Sequence, residues 1–108
     1  MSEFSPGSKR LDVRVTARHC EVSDEVRSHV VRKAERLLRR FDGVHNVEVI
    51  LSMEGGKPKA EMIVGVVRGQ RCVAAAGHED VLGAVDVVVD KIDRQIRKLK
   101  GRLRERHT

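Results

Sequence analysis

The chain has 108 residues, 40% of them hydrophobic and 35% charged, with 22 Lys and Arg against 16 Asp and Glu and a net charge of +6. That length suits one domain with a small core, and the apolar content is too high for a disordered chain. No apolar run approaches the roughly 18 residues of a membrane span, and no apolar signal stretch follows Met1, so the chain is expected to be cytoplasmic.

Residues 1–9 read as a flexible arm of Ser, Pro, Gly and charge. Leu11, Val13 and Val15 then alternate with Asp12, Arg14 and Thr16, which predicts a half-buried first strand. Ser23 is a good N-cap, followed by Asp24 and Glu25 where the helix dipole favours anions. Val26, Val30, Ala34, Leu37, Leu38 and Phe41 recur at helical spacing and Gly43 stops the run, predicting a first helix over about 24–41. Val47, Val49, Leu51 and Met53 alternate in a second strand, and the stretch from Glu54 to Pro58 is a turn. Ala60, Met62, Val64 and Val66 alternate in a third strand; Arg68-Gly69-Gln70 turns, and Cys72 to Ala76 gives a fourth. A final helix starts near Glu79 or Asp80. Its stripe is Leu82, Val85, Val89, Ile92, Ile96, Leu99 and Leu103, a rod of ~36 Å.

The order β-α-β-β-β-α predicts an α+β fold. A four-stranded mixed sheet carries both helices on one face, with the first two strands parallel and the last three an antiparallel meander. The domain is expected to span 10–104, with a short basic end at 105–108.

The positive charge belongs to the helices. Residues 24–41 hold six basic and three acidic side chains, and residues 90–108 hold eight and three; the rest of the chain is net acidic. At about 100° per residue, Lys33, Arg36 and Arg40 form one row on the first helix, and Lys91, Arg94, Lys98 and Arg102 form one on the second. Asp86, Asp90 and Asp93 gather on the other flank of the second helix, placing Asp90–Arg94 and Asp93–Arg97 at i, i+4. Two parallel basic rows on adjacent helices would make a groove or ridge for phosphates, although any solvated helix face also carries such residues. Arg27 falls inside the apolar face of the first helix. It reads either as an arginine snorkelling past the sheet edge or as one held at the rim for a phosphate.

The chain has no Trp or Tyr and only Phe4 and Phe41, too few rings for a base-stacking platform. Any nucleic acid is therefore expected to be held by phosphate, sugar and shape. Cys20 and Cys72 lie too far apart for a CxxC motif and read as two thiols in a reducing compartment. His19, Cys20, Cys72 and His78 match no zinc spacing, no nucleophile or phosphate-loop motif is present, and neither an enzyme nor a cofactor is expected. His78-Glu79-Asp80 reads as helix initiation, with a partner-facing histidine as the rival.

Three stretches resemble a known family. Val22-Ser23-Asp24-Glu25-Val26-Arg27 is similar to its opening of the first helix. The run from Gly77 through His78-Glu79-Asp80 to Ala84-Val85-Asp86 resembles its His-Glu-Asp signature, and Asp90-Lys91-Ile92-Asp93-Arg94-Gln95-Ile96-Arg97-Lys98 continues the match. The family is the ribosome hibernation promoting factors, together with the ribosome-associated inhibitor. The resemblance covers about residues 11–104 and departs at Leu82, where the family often has Tyr. It implies a fold akin to a double-stranded RNA-binding domain with an extra strand. It also implies occupation of the mRNA and tRNA channel of the small ribosomal subunit, and storage of idle ribosomes under stress or in stationary phase. By position, Arg27, Lys33, Arg36, Lys91, Arg94 and Lys98 match basic residues of the family, and Arg40 and Arg102 extend the rows. The implied partner is ribosomal RNA, with no small-molecule substrate and no membrane, and the chain is expected to be a monomer off the ribosome. It reads as the short form or as the ribosome-binding domain of a long one. A double-stranded RNA-binding module with another target, and a domain that lays its basic helix on an acidic surface, stay open.

Overall fold

The computed structural model describes residues 12–107, with side chains described for 12–101. The expected arm at 1–9, Leu11 and Thr108 lie outside the described residues, as do the side chains of Arg102 and of the basic end. The elements are β1 (Asp12–Arg18), α1 (Asp24–Arg40), β2 (Val44–Glu54), β3 (Lys57–Val66), β4 (Gln70–Gly77) and α2 (Val81–His107), in the predicted order. They form one sheet, β1-β2-β3-β4, with β1 parallel to β2 and the other neighbours antiparallel. A parallel pair needs a crossover, which α1 supplies; the antiparallel pairs need only hairpins.

Pairing places Val15, Val49, Met62 and Ala74 in one row across all four strands. Val13, Val47, Val64 and Cys72 form the next row, and Ala17, Leu51, Ala60 and Ala76 the one beyond. A period of two puts all of these on one face. Over that face α1 packs Val30, Ala34, Leu37 and Leu38, and α2 packs Ala84, Val85, Val88, Ile92 and Ile96. Helix α1 lies on β1 and β2, and α2 lies on β3 and β4. The side chains of Cys72, Ala74 and Ala76 are small, so the bulk over β4 comes from the isoleucines of α2.

The turns follow from a few residues. Gly55 and Gly56, at φ of 61° and 80°, form the two-residue loop between β2 and β3, which requires positive φ at both positions. Strand β2 begins at Val44, earlier than the alternation predicts, because an irregularity between Val44 and Asn46 interrupts the pattern. There Asn46 Oδ1 accepts from the Gly65 N–H at 3.0 Å. A Cβ on residue 65 would lie 2.2 Å from that oxygen, so the strand needs glycine at this point. Ser23 Oγ caps α1 by accepting from the Val26 N–H, and Asp80 Oδ1 caps α2 by accepting from the Gly83 N–H at 2.7 Å.

Candidate nucleic-acid interface

The basic row of α1 faces α2. Lys33 Nζ lies 2.9 Å from Asp86 Oδ1, and Arg40 Nη1 lies 3.8 Å from Asp93 Oδ2. Lys33, Arg36 and Arg40 line one wall of a cleft of about 230 Å³; Asp86, Asp90 and Asp93 line the other. The expected groove between two basic rows is therefore corrected: the acidic flank of α2 stands between them. Helical spacing fixes the angle of each row about its own axis, not how two helices are rotated against each other. The helices dock with opposite charges facing, which avoids like-charge repulsion across the contact. Arg36 stays exposed, and among the described residues no carboxylate lies within 4.0 Å of it.

The basic row of α2 lies on the opposite flank, along the β4 edge of the sheet. Lys91 Nζ donates to the Ala75 carbonyl at 3.0 Å, and Gln95 Nε2 donates to the Val73 carbonyl at 2.9 Å. Four helical residues rise ~6 Å, close to the ~6.8 Å of two strand residues, so side chains at i, i+4 meet carbonyls at j, j−2. These bonds cover part of an edge that would otherwise be open to another strand. Arg94 pairs with Asp90 at 2.6 Å, as its spacing predicts, and its side chain remains 75% exposed. Arg97 Nε lies 3.3 Å from Asp93, the second expected pair. Lys98 is exposed beside Gln70 and Arg71 of β4.

Arg27 joins neither row. Its Nη1 donates to the Val15 carbonyl at 3.1 Å, on the β1 edge, at the far side of the sheet from Lys91 and Lys98. The snorkelling geometry is the one adopted, and the guanidinium stays exposed at the rim.

Phe41 is 8% exposed, with Arg40 and Lys100 each 5.6 Å from its ring centroid. Phe41 is therefore closed to base stacking, and it is the one Phe, Tyr or Trp ring among the described residues. His78 Nδ1 accepts from the Asp80 N–H at 3.3 Å, and its ring sits where a Cβ on Gly83 would have to go. The His-Glu-Asp run is thus built into the start of α2. Cys72 is buried, and burial pushes its thiol up from the ordinary value; Cys20 is half-buried and donates weakly to the Leu51 carbonyl. Among the described residues no three metal-ligating side chains converge, and no helix is long and apolar enough to cross a membrane.

Of the expected site residues, Lys33, Arg36 and Arg40 share the interhelical cleft, and Lys91, Arg94 and Lys98 share the outer flank of α2. The Arg102 side chain lies outside the described residues. Gln95, whose amide bonds the Val73 carbonyl beside this flank, was not singled out from the sequence as a site residue, since it carries no charge.

Comparison with known proteins bears on the family and the fold. The family model described as Sigma 54 modulation protein / S30EA ribosomal protein matches residues 13–104. The ribosome hibernation promoting factor of Azotobacter vinelandii is 38% identical over 96 residues, covering 89% of each chain. That of Escherichia coli K12 is 27% identical over 95 residues, covering 88% of this chain and 99% of the relative. The crystal structure of the Thermus thermophilus Protein Y N-terminal domain superposes with a TM-score of 0.71 at 29% identity, covering 82% of this chain and 98% of that one. A ribosomal subunit interface protein from Coxiella burnetii shares the fold, with a TM-score of 0.73 at 22% identity over 83% of this chain and 98% of its own. With a match that runs from β1 into the last turns of α2, this chain belongs to the Sigma 54 modulation protein / S30EA ribosomal protein family.

Proposed function

We propose that this chain binds the small ribosomal subunit through ribosomal RNA, lies in the channel used by mRNA and tRNA, and holds the ribosome idle under stress or in stationary phase. The observation that carries this reading is the family match over 13–104, which takes in every strand and most of α2. Relatives that align along most of their own length are ribosome hibernation promoting factors.

The physical basis is cationic. Arg94 and Lys98 on the outer flank of α2 meet RNA phosphates, and Lys91 has two further N–H donors beyond the one given to Ala75. Arg36 meets phosphate at the mouth of the interhelical cleft, with Lys33 and Arg40 behind it. Arg27 serves a separate contact at the β1 rim. Arg102 continues the α2 row by spacing. The binding unit is 10–104, and inhibition is steric, with no bond made or broken.

The test is sedimentation of the purified protein with separated subunits and with whole ribosomes at near-physiological salt, with translation assayed in parallel. Saturable binding to the small subunit with loss of translation is expected. Protein left at the top of the gradient, or bound equally to any duplex RNA, would overturn the reading in favour of a general RNA-binding module.

A further inference from the structure

The two edges of the sheet are closed to different degrees. On β4, Gln95 and Lys91 of α2 cover the Val73 and Ala75 carbonyls. On β1, Arg27 alone reaches over, to the Val15 carbonyl. Backbone groups alternate in direction along a strand paired in parallel, so Val13, Val15 and Ala17 all turn N–H and C=O outward. Such an edge can accept another strand.

We infer that β1 pairs with β1 of a second copy, antiparallel about a two-fold axis at Val15, so that two sheets join into one. This takes the place of the monomer expected off the ribosome.

Charge fixes both the occupant and the register. With the axis at Val15, Asp12 faces Arg18 of the second copy, Arg18 faces its Asp12, and Arg14 faces its Thr16. All four side chains lie on the sheet face away from the helices. Moving the axis to Arg14 sets that residue against itself, and moving it to Thr16 sets Arg14 against Arg18. Like charges directly opposite are destabilising, so of these three registers the one at Val15 is complementary. A uniformly basic or acidic strand would meet a mismatched charge at Arg18 or Asp12, whereas a second copy satisfies both.

Helix α1 follows the same symmetry. Arg27, Val31 and Glu35 recur every four residues on the flank of α1 away from α2. The helix runs back along β1 to make the parallel crossover. From Asp24 to Val31 it rises ~10.5 Å, and from Arg18 back to Val15 the strand spans ~10 Å, so Val31 comes level with Val15. The axis at Val15 therefore sets Val31 against Val31 and Arg27 against Glu35. Val31 is half-buried and lies outside the core cluster. Glu35 is held loosely, 3.7 Å from Arg39. Because α1 lies over β1 and β2 alike, the two α1 axes come ~10 Å apart, an ordinary packing distance. Arg27 yields the Val15 carbonyl to the second copy's N–H and turns to Glu35. Since Arg27 is also the rim cation of the RNA reading, the dimer is a state of the protein free of ribosomes.

The test is sedimentation velocity of the full chain, without ribosomes, at near-physiological salt from about 10 μM to about 1 mM. Dimer should grow in with concentration. Asp12→Arg and Arg18→Asp should each self-associate about ten-fold more weakly, because two opposite-charge contacts become two like-charge ones. An equimolar mixture of these two variants should dimerise as wild type does, since each Arg then meets an Asp across the axis. Both positions are exposed, so thermal unfolding midpoints should be unchanged. Wild-type protein that stays monomeric throughout would overturn the inference. So would single variants that dimerise like wild type, or a mixture that fails to recover. Ribosome binding is not read in this experiment, so these results leave the proposed function standing.

Discussion

Replacing Arg94 and Lys98 together by Glu puts the outer flank of α2 to a quantitative test. In a counterion-release picture each lost phosphate contact removes a slope of about 0.7–0.9 in log affinity against log salt. Between about 1 M and about 0.15 M salt that amounts to roughly a factor of five per contact. Losing two contacts then costs roughly 25-fold, and two introduced carboxylates facing phosphate should bring the loss to the order of 100-fold. The fold should survive. Arg94 is largely exposed and gives up only an i, i+4 pair with Asp90, worth about 0.3–0.5 kcal/mol, and among the described residues no carboxylate pairs with Lys98. Lys91 is left intact because a carboxylate there would face the Ala75 carbonyl and mix stability with binding. The assay is filter binding of small subunits at several salt concentrations, with thermal unfolding as the folding control. A folded double variant with wild-type affinity and wild-type slope would refute the placement of RNA on this flank.

Asp86→Asn removes the partner of Lys33, and affinity for RNA in the same filter assay should rise about two- to five-fold; weaker binding would show that the pair itself builds the site. Met62→Ala, at the centre of the four-strand row, should cost about 2–5 kcal/mol in urea unfolding, and a loss under about 1 kcal/mol would contradict the core described. Asp80→Ala removes the cap of α2 and should cost about 1 kcal/mol by the same measurement. Burial raises the Cys72 thiol above its ordinary value of 9.0, so its stabilising contribution is full below that value and is lost as pH rises through the raised one. Mass spectrometry after brief alkylation of folded protein near that pH should find Cys20 modified before Cys72, and the reverse order would contradict the burial.

The order of elements was legible because each has a clean period. Val13 and Val15, Val47 to Met53 and Ala60 to Val66 alternate, while Val85 to Leu99 runs in threes and fours. Helix ends were legible where chemistry marks them, as at Ser23 and Asp80. The start of β2 was not, because Asn46 breaks the alternation to bond Gly65, a residue far along the chain. The site was legible one helix at a time. Spacing grouped Lys33 with Arg36 and Arg40, and Asp86 with Asp90 and Asp93, but only the docking of α1 on α2 sets those two groups face to face. Spacing also placed Lys91 and Lys98 together, while the bond from Lys91 to Ala75 depends on where β4 runs beneath.

Occlusion of the channel is tested by competition. Small subunits programmed with labelled mRNA and tRNA would be titrated with the wild-type protein, and retention of each label followed. Both labels should leave as the protein saturates its site, and the Arg94→Glu, Lys98→Glu variant should need on the order of 100-fold more protein to release them. A ternary complex in which mRNA, tRNA and the protein remain bound together at saturation would contradict occlusion.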